Sequence, residues 1–201
     1  MARPRKSAHR NTREKIRRAA IRLFAENGFA GTSTRELCRA ARVTKPVLYH
    51  YFGGKEELFR QLVTQSLESY REGLLRAAEQ RGEARRRLVA VVDNDFFFTR
   101  REPELLRLLY RVVFAPEPVV EAEGVVACVE EELRVLEQIA REGVRRRELR
   151  GNPREIAVGI LGLSHIYTLG WLVQGRPWLT AERARRCVEV ILAGCDARPA
   201  A

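Results

Sequence analysis

Lys45, Val47, Tyr49 and His50 put an ammonium, an aliphatic side chain, a phenol and an imidazole within six residues of each other. If the run Lys45 to Tyr51 is a helix with Leu48 turned inward and Phe52 closing it, these four side chains share the outer face. The lysine can donate to guanine O6 or N7, the valine and tyrosine can pack on a thymine methyl, and the tyrosine and histidine can reach phosphates. That is the chemistry of reading duplex DNA with a helix in the major groove. Catalysis is poorly served by comparison. The three histidines, His9, His50 and His165, have no acid or base partner at a suggestive spacing, and there is no phosphate loop or metal motif. No enzyme activity, cofactor or metal is expected.

A recognition helix needs partners to hold it, and the flanking sequence provides them. Ile16, Ala19, Ala20, Leu23 and Phe24 form an apolar stripe at helical spacing, and Asn27-Gly28 is a left-handed stop. Ser33-Thr34-Arg35-Glu36 matches a capping box, so a second helix should start there and run to about Ala41. Arg42-Val43-Thr44 is the turn, with Thr44 able to cap the third helix and Pro46 tolerated in its first turn. Tyr51 is read as a packing residue, Gly53-Gly54 as the stop, and Lys55 as the start of a long fourth helix to about Arg81. Beyond Gly82, helices are expected near residues 85–100, 103–114, 119–147, 153–174 and 180–193, broken at prolines and glycines. The expected fold is all-α with about nine helices: a basic arm over 1–10, a three-helix head over 11–60 and a helical body over 61–201.

Charge separates head from body. Residues 1–60 hold 15 Lys/Arg against 5 Glu, whereas residues 61–201 hold 22 basic and 21 acidic residues. An excess confined to the first third suits a polyanion, with DNA favoured by the helix pair, although RNA or a membrane surface would suit the charge alone. Cys38, Cys128, Cys187 and Cys195 form no CxxC pair or Cys/His cluster and are read as small apolar residues in a reducing cytoplasm. The stretch 156–175 carries no charge and reaches spanning length, but its polar residues and four glycines favour a helix buried on more than one face. Neither a membrane span nor a signal peptide is expected.

Two short helices joined by a tight turn in a basic head form a helix-turn-helix candidate. The first 60 residues resemble the DNA-binding domain of the TetR family of bacterial transcriptional regulators. The resemblance rests on Ile16-x2-Ala19-Ala20-x2-Leu23-Phe24, Gly28-Phe29, Thr32-Ser33-Thr34, Leu37-Cys38-x2-Ala41-x-Val43, Leu48-Tyr49-His50-Tyr51-Phe52 and Lys55-Glu56-x-Leu58. It covers less than a third of the chain. Arg42 stands where the family mostly has glycine, and it either strains the turn or adds a phosphate contact. Pro46 stands where the family often has a small residue. By position, Thr34 and Lys55 should hold phosphates at helix starts, Tyr49 and His50 should bracket the backbone, and Lys45 should read a base with Val47 beside it. Arg42 and Thr44 complete the expected DNA-binding set.

The resemblance implies a homodimer on a near-palindromic operator and a body that binds a small effector. The body's last helices independently carry more apolar surface than one partner covers: Ile156, Ile160, Leu163, Tyr167, Val188, Ile191 and Leu192 are the expected dimer residues. Phe96, Phe97, Tyr110, Phe114, His165 and Trp171 are the candidate effector lining, which would select a mainly apolar molecule. The expected function is a cytoplasmic, ligand-released repressor. A DNA-binding dimer with no effector is the alternative.

Overall fold

A computed structural model describes residues 5–115, 121–176 and 178–196, with side chains described between residues 11 and 194 of those spans. Among them are nine α-helices and no strand. They are α1 (Arg5–Asn27), α2 (Thr34–Ala41), α3 (Lys45–Phe52), α4 (Lys55–Ala78), α5 (Ala84–Arg101), α6 (Pro103–Val113), α7 (Glu121–Arg145), α8 (Pro153–Gln174) and α9 (Ala181–Asp196). The all-α fold expected from periodicity is observed. Residues 5–10, read as part of a loose arm, are the first turns of α1, and residues 1–4 lie outside the described set.

The described chain divides into two compact units. One comprises Met1–Leu67 with Glu104–Val125, the other Glu68–Pro103 with Val126–Ala201. Helices α4 and α7 contribute residues to both, and α6 belongs with the first unit from Glu104 onward. That grouping of α6 with the N-terminal helices is not visible in the sequence.

In the first unit, Ile16, Ala20 and Phe24 of α1 are buried with Leu37 and Ala41 of α2, Leu48 and Phe52 of α3, and Leu58 and Phe59 of α4. Phe24, Phe29 and Phe59 form an aromatic trio, with centroids 4.9 to 6.0 Å apart and Phe59 edge-on to Phe24. The turn after α1 is tied down from inside: the buried Thr32 hydroxyl donates to the carbonyls of Gly28 (2.8 Å) and Leu23 (3.2 Å). Arg111 of α6 donates to the carbonyls of Ala25 (2.9 Å) and Glu26 (2.6 Å). A guanidinium there satisfies orphan carbonyls and lies at the negative end of the α1 dipole. Gly31 leaves no choice of residue, since a Cβ on it would meet the Asn27 carbonyl oxygen at 2.4 Å.

The second unit packs Leu74, Leu88, Val91, Val92, Phe96, Leu136, Ile139, Ile156, Ile160, Val188 and Leu192 into one core. Its helix ends are closed locally. Asn152 accepts from the Arg154 N–H, Pro153 takes the first turn of α8, and Gly175 ends it in the left-handed region at φ 63°. Glu148 accepts from the Ala84 N–H at the start of α5. Gly143 permits the close approach of α7, because a Cβ there would sit 2.5 Å from that of Ala84.

Helix α8 differs from its expected form. It buries one broad face, Ile156, Ala157, Ile160, Leu161, Ser164, Thr168 and Leu172, and leaves a second apolar stripe outside. Val158, Ile166 (65% exposed), Leu169 and Val173 (82%) line that stripe, with Gly162 between them and Val190 exposed on α9. This corrects the expected dimer set. Ile156, Ile160, Val188 and Leu192 are fully enclosed in the unit's own core and present nothing to a second copy, while Leu163, Tyr167 and Ile191 are partly buried against that core. Periodicity found the apolar residues but could not say which of two apolar faces turns inward.

Candidate nucleic-acid interface

Helices α2 and α3 are positioned by their caps. The Ser33 hydroxyl accepts from the Glu36 N–H at 3.2 Å, and the Glu36 carboxylate accepts from the Ser33 N–H at 2.8 Å, so the expected capping box is present. The Ser33 backbone hydrogen bond, then its hydroxyl, hold the Glu36 carboxyl below the usual range. Thr34 is the half-buried first residue of α2.

The turn between the helices runs through Arg42 at φ 55°, ψ 47°, the left-handed region. This explains the position's preference for glycine: a side chain here costs about 1–2 kcal/mol through Cβ contact with the backbone. The Arg42 side chain is exposed beside the start of α3, so strain and availability to a phosphate coexist. Thr44 has the extended backbone of an N-cap, but its hydroxyl makes no capping bond. The expected side-chain cap is therefore absent, and Pro46 supplies the start of α3 by its fixed φ. Gly53, at φ 74°, ends the helix after two turns.

On α3, Leu48 and Phe52 are buried while Lys45, Tyr49 (46% exposed) and His50 face out, with Val47 half-buried between them. The Lys45 ammonium lies 5.5 Å from the Tyr49 ring centroid, and the His50 ring stands edge-on to the half-buried Tyr51 at 5.2 Å. Exposed Arg35 and Arg39 on α2 add to the positive face, whereas the nearby Glu36 carboxylate is occupied in its capping box.

Lys55 is held differently from expectation. Its ammonium donates to the Phe29 carbonyl (3.1 Å) and the Thr32 carbonyl (3.0 Å) and lies 4.1 Å from the Phe29 ring centroid. Two of its three protons are committed to stapling α4 onto the α1–α2 turn, leaving one for a phosphate.

The candidate effector residues are divided between the two units. Phe96 has no exposed surface and is a core residue, so its assignment as lining is corrected. Phe97 is exposed, and Trp171 is partly buried against the core. Tyr110 and Phe114 stack with parallel rings 6.4 Å apart and belong to the first unit, whereas the other four belong to the second.

His165 joins a polar cluster inside the second unit. Its Nε2 lies 3.9 Å from Glu132 Oε2, and Tyr70 donates to the same Glu132 oxygen at 2.6 Å and to Asp95 Oδ1 at 3.4 Å. Burial, reinforced by the charge of Glu132, pushes the Asp95 carboxyl up to about 7, against the opposing effects of His165 and Tyr70. Burial alone would lower the His165 pKa, but Glu132 and Asp95 outweigh it and raise it; burial and the same two carboxylates raise the Tyr70 phenol. Tyr70, Asp95 and Glu132 were missed in sequence. Their signal is positional: Asp95 falls on the inward stripe Leu88, Val91, Val92, Phe96, Thr99, and Glu132 on the stripe Leu136, Ile139, Ala140.

A basic three-helix head that presents a two-turn helix after a tight turn defines a helix-turn-helix DNA-binding protein. Residues 16–62 match the profile of the bacterial regulatory proteins of the tetR family. The chain is 29% identical over 159 residues to the HTH-type transcriptional activator FasR of Mycolicibacterium smegmatis, an alignment covering 79% of this chain and 71% of FasR. In fold it is similar to PfmR, a TetR family transcriptional regulator from Thermus thermophilus, with a TM-score of 0.74 at 21% identity over 92% of this chain and 98% of that one. It is also similar to FadR from Bacillus subtilis, solved with stearoyl-CoA, with a TM-score of 0.69 at 18% identity over 90% and 98% of the two chains. Residues 16–62 are thus a DNA-binding domain of the tetR type, and the chain is a transcriptional regulator, as its relatives are named, rather than an enzyme.

Proposed function

We propose that the chain is a homodimeric repressor whose two heads read the halves of a near-palindromic operator and release it when a small, mainly apolar molecule binds. The observation that carries the DNA reading is the outer face of α3, where Lys45, Tyr49 and His50 stand exposed beside Arg42 and Thr44. Lys45 donates to a guanine edge, Val47 contributes apolar contact, and Tyr49, His50, Thr34 and Arg42 contact the backbone. The remaining proton of Lys55 serves a phosphate. Two heads related by a two-fold axis would meet successive major grooves about 34–36 Å apart.

The outer stripe of α8, Val158, Ile166, Leu169 and Val173, supports the dimer, since so continuous an apolar face is best covered by a second copy. Helix α8 is long and apolar enough to cross a membrane, but the burial of its other face in the unit's core supports a cytoplasmic protein with no membrane partner. For the effector, the stearoyl-CoA seen with FadR supports a long apolar acyl chain as the part recognised, carried on a coenzyme A thioester whose polar portion lies outside the apolar lining, as the class to test.

Selection of bound duplexes from a random pool tests the reading, with the expected outcome of two inverted half-sites at one-turn spacing. Lys45→Ala should then relax preference at particular base pairs, by about 1–3 kcal/mol of discrimination. An unchanged preference would remove its base-reading role. A reporter behind the selected site should fall when the chain is expressed and recover on adding acyl-CoA. A rise would make the chain an activator, as FasR is named.

A further inference from the structure

We infer that Asp95, Glu132 and His165 form a binding site for one divalent transition-metal ion, of which zinc is the best match, inside the helical body. The three side chains come from α5, α7 and α8, and one ligating atom of each lies within 4.8 Å of the others. Asp95 is 5% exposed and Glu132 2% exposed. Asp95 Oδ2 is buried with no hydrogen-bond partner among the described residues. A buried carboxylate oxygen without a donor is costly, and a cation at the centre of the triad relieves it while neutralising two adjacent carboxylates.

The donor set selects the ion. One imidazole and two carboxylates form a borderline set suited to zinc, manganese or cobalt, whereas calcium and magnesium favour oxygen ligands alone. Metal–ligand bonds of about 2.0–2.2 Å place ligand atoms roughly 3.3–3.6 Å apart around a tetrahedral ion. The His165–Glu132 distance of 3.9 Å needs a small side-chain closure to reach that, and the widest spacing a somewhat larger one. The Tyr70 hydroxyl, 2.6 Å from Glu132 Oε2, supplies the outer hydrogen bond that orients a ligating carboxylate. His165, with 28% of its side chain exposed, leaves a route for the ion to enter. Three protein ligands keep at least one coordination position for water or for a donor atom of a second molecule.

The test uses the untagged full chain, stripped with a chelator and titrated without DNA, so that its failure leaves the operator reading untouched. Calorimetry with zinc and visible absorption with cobalt should each show one ion per chain. Zinc should raise the melting temperature of the wild type by several degrees. Asp95→Asn keeps the shape and the tyrosine contact while removing a buried charge, so it should fold, as helical circular dichroism will show. It should bind zinc and cobalt at least about tenfold more weakly, and so should His165→Phe. Absence of ion binding by the wild type, or unchanged affinity in a folded Asp95→Asn, would overturn the assignment and leave the triad holding only a proton.

Discussion

The exposed chemistry of α3 depends on residues that also hold the head's backbone in place, and Arg42 and Lys55 show two ways this happens. Arg42 holds a left-handed backbone at some cost in strain, so Arg42→Gly should stabilise the head by about 1 kcal/mol, read as a rise in melting temperature. If the Arg42 guanidinium also touches a phosphate, the same variant lowers the salt dependence of DNA binding by about one unit. A stability gain with an unchanged salt slope would limit Arg42 to its backbone effect. For Lys55, the two carbonyls it satisfies predict that Lys55→Ala loses roughly 2 kcal/mol of stability with no DNA present. Full retention of stability with weakened DNA binding would show that the phosphate contact dominates instead.

At the scale of helices, much was legible because the signals are local. The capping box of α2, the glycine stops and the inward Leu48 and Phe52 are each set by residues within a turn or two of one another. What was not legible depends on long-range packing. Arg111 caps α1 from 85 residues away, and the Asp95, Glu132 and His165 side chains meet only because three helices share a core. Nor can periodicity decide between two apolar faces of α8, which is why enclosed core residues were first assigned to the dimer. Another long-range tie is testable by pH. Arg87 donates to Glu142 at 2.5 Å and to the Ala78 carbonyl at 3.2 Å, joining α5 to α7 and to the end of α4. The Arg87 hydrogen bond, against the opposing effect of burial, holds the Glu142 carboxyl below its ordinary value of 4.5. A depressed folded-state pKa stabilises the fold above the unfolded value and is lost as pH falls through the folded one. Glu142→Gln should therefore cost about 1 kcal/mol at pH 7, with the difference from wild type shrinking as urea melts are taken below pH 4.5. A gap that persists at pH 3 would assign the loss to packing instead of charge.

For the molecule as a whole, the charge distribution and the uncovered stripe of α8 make separable demands. The basic excess lies in residues 1–60, so the salt dependence of DNA binding belongs to the head. The stripe lies in the body, where Ile166 and Val173 are the most exposed of its apolar residues. Replacing both, Ile166→Glu and Val173→Glu, places two carboxylates where a second copy would sit and disturbs no buried contact. The double variant should keep the wild-type melting profile at low concentration, run as a monomer in light scattering, and bind a single half-site as the wild-type head does. Its affinity for the full operator should fall to that single-site level, because the second head then binds as an independent molecule and the gain from linkage, up to about 100-fold or more, is lost. If the variant remained a dimer, the interface would lie elsewhere on the body; if the monomer still bound the full operator as tightly as wild type, the second head would contribute nothing to recognition and the two-fold operator would be wrong.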